Sequence, residues 1–170
     1  NSDLFLDFCM TNVYDYLSDS AQQLISSLLC APGLKDVAEL AYLNSFDSLA
    51  AQKSIQELMA TNMLSQASKS KGASIKTTYE LSELARSYLG KHHKPTQRFQ
   101  KLIRDKRNKL NSLFEQQMSK RNGNNYSIKN VKFRDKTDRI IVKMLMDSFS
   151  FISSGKHDKA ITILEEAHRL

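Results

Sequence analysis

The residues whose types could carry chemistry are few: His92-His93, Cys9 and Cys30, and the acidic pairs Glu80/Glu83 and Glu165-Glu166. Two adjacent imidazoles can hold a metal or shuttle a proton, but here they are flanked by Lys91 and Lys94 in what reads as a basic hinge, so a solvated linker outweighs either role. The two cysteines fall within helical apolar patterns, without metal-ligand spacing or His partners, and are expected to be buried free thiols. Glu80 and Glu83, spaced i and i+3, could pair as acid and base. A charged first helical turn beside the macrodipole accounts for them more simply. Glu165-Glu166 belongs on the outer face of a helix. The five glycines, at 33, 72, 90, 123 and 155, are too scattered to cradle a phosphate. No enzyme activity, cofactor or metal is therefore expected of this segment.

Binding chemistry is better supplied. The net charge is +7, unevenly divided: residues 1–90 hold six Lys/Arg against ten Asp/Glu, which leaves 19 of the 25 basic and 8 of the 18 acidic residues to 91–170. Lys53, Lys69, Lys71 and Lys76 are the cations of the acidic half suited to phosphate contact, and Lys101, Arg104 and Arg107, with Lys106 and Lys109, make a basic helix in the other. Asp105 interrupts that stripe, and an apolar face on the same helix demands burial, so the expected default is the solvated face of a packed helix.

The elements that must position these residues follow from periodicity and caps. At 170 residues and 41% hydrophobic, the chain can form one or two small helical domains. No apolar run approaches the roughly 18 residues of a membrane span, and no leader-like start is present, which leads to the expectation of a cytoplasmic protein, excised from a longer one. Residues 1–17 read as a lead-in helix. Ser18 caps a helix carrying Ala21, Leu24, Ile25, Leu28 and Leu29 until Pro32-Gly33 ends it. Leu34 to Ala41 suggests a short second helix broken at Asn44-Ser45, and a third runs from Asp47 or Ser48 to about Asn62, with Leu49, Ala50, Ile55, Leu58 and Met59 inward. Met63–Ala67 and Ile75–Tyr79 read as strands joined by a polar tip, and a helix from about Leu81 to Lys91, with Leu84, Ala85, Tyr88 and Leu89 inward, completes residues 18–92. Leu64, Ala67, Ile75 and Tyr79 are expected to pack on the helices. This order is the plan of a winged-helix domain with a small β-hairpin.

Residues 93–137 comprise a basic helix, whose apolar stripe is Phe99, Leu102, Ile103, Leu110, Leu113, Phe114 and Met118, and a connector whose structure over 122–137 the pattern does not assign. Residues 138–170 read as two helices, Ile140–Ser153 and Asp158–Leu170. Ser148, Phe151, Gly155, Ala160, Leu164 and Ala167 stand there at the spacing of a tetratricopeptide-like hairpin, which needs neighbours to bury its face. The fold class expected is mainly α.

Tyr14-Asp15-Tyr16-Leu17-Ser18 ahead of an Ala-Gln-Gln-Leu-Ile-Ser-Ser-Leu-Leu helix, the Tyr79 to Tyr88 pattern and the repeat-like tail together resemble the winged-helix and helical region of STAND signalling NTPases. The resemblance covers roughly residues 5–92 and, more weakly, 138–170. It implies a non-catalytic regulatory segment coupling an ATPase module to a helical-repeat sensor, with those neighbouring domains, and a possible protein ligand, as partners. The family places a nucleotide-contacting His, followed by an acid, where this chain has Ser82 and Glu83. Ser82 lacks the imidazole, so direct nucleotide sensing there is not expected.

The alternative is a DNA-binding winged-helix transcriptional regulator, using Lys53 on the third helix and Lys69, Lys71 and Lys76 on the hairpin. Against it, the outward positions of the third helix are Gln52, Lys53, Gln56 and Glu57, with no Arg to pair with guanine and a Glu that would repel phosphate.

Overall fold

The computed structural model describes residues 2–71, 74–118, 133 and 135–170, and side chains over 4–68, 76–112, 133 and 135–170. Among the described residues the chain is mainly helical, with one two-stranded antiparallel sheet. It divides into two compact units, 1–104 and 105–170.

In the first unit, α1 spans Ser2–Asp15 and α2 spans Asp19–Cys30. Ser18 caps α2 by accepting a hydrogen bond from the Ala21 N–H, at 3.3 Å. After Gly33, whose φ of 98° favours a residue without Cβ, α3 covers Val37–Asn44 and α4 covers Ser48–Ala60. Asp36 and Asp47 cap them through Glu39 N–H at 2.8 Å and Ala50 N–H at 2.7 Å. Leu34 lies outside α3, whereas the sequence pattern began the helix there. The cause is tertiary: Lys35 forms a β-bridge with Tyr79, donating and accepting backbone hydrogen bonds of 2.9 and 2.8 Å, so the chain is extended until Asp36.

Strands β1, Leu64–Lys71, and β2, Ser74–Leu81, pair in the register Leu64↔Leu81 through Lys71↔Ser74, so both run further than alternation suggests. Leu81 is the last residue of β2 rather than the first of a helix. Ser82 donates its backbone N–H to Met63 O at 2.9 Å and caps α5, which runs Glu83–His92. Helix α6, Gln97–Met118, starts where Thr96 accepts from the Phe99 N–H at 3.3 Å, one residue after Pro95.

The main core joins Met10 and Leu17 to Leu24, Ile25 and Leu28 of α2, Leu40 of α3, Ile55 and Leu58 of α4, Leu64 and Leu81 of the sheet, and Ala85, Tyr88 and Leu89 of α5. Tyr79 packs against it as expected; Ala67 is only half-buried, and the Ile75 side chain is outside the described residues. A smaller cluster sets Phe99 and Ile103 of α6 against Ala31, Leu43 and Tyr42. Three inward assignments are corrected. Leu49 is 59% exposed, Leu84 46% and Leu102 48%. Helix α4 instead buries Ser48, Ala51, Ser54, Ile55 and Leu58, and its small residues suit close approach to α2 and α3. Ser54 meets its polar requirement locally, donating to Ala50 O at 3.0 Å.

Polar groups inside this unit are used as ties. Asn44 donates to Ser27 Oγ and to Leu40 O, both at 2.9 Å, and Gln23 donates to Asn44 O at 2.9 Å, fastening the end of α3 to α2.

In the second unit, α7 spans Lys136–Ser153 and α8 spans His157–Arg169, packed on one another. Asp135 caps α7, which begins one turn earlier than its apolar pattern. Gly155, at φ 72°, makes the turn. Ser148 and Ala160 are buried, Phe151, Ile163 and Ala167 are half-buried, and Leu164 is exposed at 38%, which corrects its inward placement. The unassigned stretch 122–137 lies largely outside the described residues, as do the side chains of Leu113, Phe114 and Met118.

Candidate functional site

Helix periodicity brings together a group of rings that linear reading leaves scattered. On α1, Asp7, Thr11 and Tyr14 stand at i, i+4 and i+7; on α5, Tyr88 and His92 stand at i and i+4, with His93 next. Where the two helices meet, the His93 ring stacks on Tyr14 with centroids 3.8 Å apart, and His92 stacks on Tyr88 at 4.6 Å. Thr11 Oγ1 and the Tyr88 hydroxyl share a hydrogen bond of 2.6 Å, and His92 Nε2 lies 3.7 Å from Asp7 Oδ2. The histidines thus close a helix–helix seam at the end of α5 instead of lying in a linker, with His92 exposed and His93 half-buried. Spacing alone carried the signal: Tyr88 and His92 share a face of α5, and Thr11 and Tyr14 a face of α1.

Burial lowers the pKa of His93 below the ordinary imidazole value, reinforced by neighbouring His92 and opposed by the Asp15 carboxylate. Tyr14 is raised by burial, with Asp15 and Tyr88 adding to the shift. At neutral pH the stacked pair is therefore a neutral imidazole on an un-ionised phenol. Beside it opens a cleft of about 580 Å³, lined by Tyr14, Asp19, Gln22, Gln23 and Ser26 from α1 and α2 and by His92 to Thr96 and Phe99 from the α5–α6 corner. Among the described residues no group of three His, Cys, Asp or Glu could hold a metal ion.

The residues singled out in the sequence fall on three elements. Ser82 is the N-cap of α5, its Oγ accepting from the Ala85 N–H at 3.3 Å, and Glu83 follows, exposed, in the first turn. Glu80 lies on β2 and pairs with Arg86 at 3.1 Å, so it is not matched with Glu83 as an acid–base couple. Lys53 is exposed on α4 beside Gln52 and Gln56, while Glu57 turns to the start of α2 and accepts from Ser18 N–H at 2.7 Å and Ser18 Oγ at 2.6 Å. Lys76 on β2 forms an ion pair of 2.7 Å with Asp36, the cap of α3. Lys69 and Lys71 sit in β1 opposite Lys76 and Ser74, with side chains outside the described residues.

Lys101 and Arg104 are exposed on successive turns of α6 in the first unit, and Arg107 is exposed on the part of the same helix assigned to the second. Burial, together with nearby Lys109, lowers the pKa of Lys106. The thiols are free and half-buried rather than fully buried, and burial raises that of Cys30. No described helix is long and apolar enough to cross a membrane. Comparison with protein-family models, with curated proteins and with solved structures gave no match.

Proposed function

We propose that this chain is a non-catalytic regulatory segment of a STAND-type signalling NTPase in the cytoplasm: a winged helix serving as an internal joint, followed by a tetratricopeptide-like hairpin. What carries the reading is the use of charge on the surfaces by which a winged helix would hold DNA. Glu57 of α4 is tied to Ser18, and Lys76 of the hairpin is tied to Asp36. A DNA reader needs Lys76 free for phosphate, whereas here Asp36 meets its charge within the domain; Glu57 likewise serves as a tie between α4 and the start of α2, as a packing joint requires. The Lys35–Tyr79 bridge supports the same reading, because it binds the hairpin to the helical body. In such a joint α2, the hairpin and α5 contact the ATPase module, and the second unit continues toward the sensor.

Fluorescence anisotropy with labelled duplex DNA across a salt series tests it, comparing the chain with the triple reversal Lys69→Glu, Lys71→Glu, Lys76→Glu. The joint reading expects binding, if any, to be indifferent to the reversal. Binding near physiological salt that the reversal abolishes would replace it with the DNA-binding winged-helix regulator. The natural protein carrying this segment should also retain bound adenine nucleotide on purification, and one without a nucleotide site would sink the assignment to a signalling NTPase.

A further inference from the structure

Between Lys91 and Arg104 the chain carries five cations, Lys91, Lys94, Arg98, Lys101 and Arg104, and no acidic residue. All five side chains are exposed, and none forms an ion pair with a described residue. Three other basic residues of this unit are used in ion pairs, Lys35 with Glu39, Lys76 with Asp36 and Arg86 with Glu80. The cationic set follows the end of α5, the connector and the first two turns of α6, where Arg98 and Lys101 are surface neighbours three residues apart. Residues 1–90 are net acidic, so within the first unit the positive charge is concentrated at this corner.

Lys94 also lines the cleft, whose walls include the stacked Tyr14–His93 pair and the half-buried ring of Phe99. Lys94 is the cation that shares the cleft with these rings, while Arg98, Lys101 and Arg104 continue onto the exposed face of α6; cations beside aromatic faces are the two parts of a surface that holds phosphates and stacks an unpaired base. We propose that the α5–α6 corner binds single-stranded nucleic acid, its phosphates along Lys91, Lys94, Arg98, Lys101 and Arg104 and one base in the cleft beside Tyr14, His93 and Phe99. A duplex satisfies only half of this, because its bases are stacked on one another and cannot enter. An acidic protein segment would meet the cations but has no use for the rings. Asp19 also lines the cleft and disfavours phosphate next to its carboxylate. The inference does not rest on the winged-helix joint, since it uses neither α4 nor the hairpin, although the end of α5 belongs to both.

The test is anisotropy of a labelled oligothymidylate of about 12 nucleotides with the whole 170-residue chain, between about 50 and 200 mM salt. The reversal Lys94→Glu, Arg98→Glu, Lys101→Glu is compared with an equal charge change at exposed positions elsewhere, Lys53→Glu, Lys156→Glu, Lys159→Glu, after circular dichroism has shown both to be folded. The corner reversal should weaken binding at least about tenfold and flatten the slope of log affinity against log salt by about 2, while the control changes affinity by less than about threefold. Polyphosphate and polyglutamate of equal charge should compete at least about tenfold less well than unlabelled oligothymidylate. Equal loss in the control, equal competition by either polymer, or no binding at the lowest salt would overturn the proposal.

Discussion

His93 shows how one ring links protonation to the seam between α1 and α5. Burial holds its folded pKa below the ordinary imidazole value of 6.5, which applies when the chain is unfolded. Between those two values the unfolded chain binds more protons, so stability rises with pH across the window and falls as pH drops from about 6.5 to the lowered folded value. Below both values the effect is constant. Replacement by Phe keeps a ring against Tyr14 but removes the titration. Urea midpoints between about pH 5 and 8 should therefore fall less steeply on acidification in His93→Phe than in the parent chain. Identical pH profiles would mean that the imidazole is not held neutral by its surroundings.

Caps and punctuation were legible at the level of elements, and faces less so. Ser18, Asp47 and the Pro32-Gly33 stop marked helix ends because capping is a local hydrogen bond between residues two or three apart. Leu81, Leu49 and Leu84 were misplaced for another reason. A β-branched or leucine-rich run satisfies strand and helix templates alike, and which side of a helix is buried depends on its neighbours. On α4 the neighbours select Ser48, Ala51 and Ser54, so hydrophobicity was the wrong guide. In the second unit the same reasoning can be tested through Ala160, 1% exposed where α8 meets α7. Ala160→Trp should overpack that contact at a cost of about 1–3 kcal/mol, read as a lower thermal midpoint of the α7–α8 signal; unchanged stability would count against close packing of the pair.

Across the whole molecule, burial is unequal. Leu24, Ile25, Leu28, Leu40, Leu43, Leu58 and Leu89 are among the fully buried side chains of the first unit, whereas in α8 Ala160 alone of the described side chains is buried. Native-state hydrogen exchange should accordingly be slowest at the amides of Leu24 to Leu28, Leu40 to Leu43 and Ile55 to Leu58, and at least about a hundredfold faster through α8. Equal protection in α8 would show that something besides the described packing holds it. Composition and periodicity by themselves determined the mainly helical class, the hairpin between α4 and α5, and the basic character of the segment after Lys91, because caps, turns and charge are properties of short stretches. Only the tertiary structure decided that Lys35 joins Tyr79, that Lys76 answers Asp36 and Glu57 answers Ser18, and that His92 and His93 close onto α1. Those pairings lie 39 to 85 residues apart or depend on how two helices meet, and no local pattern encodes that geometry.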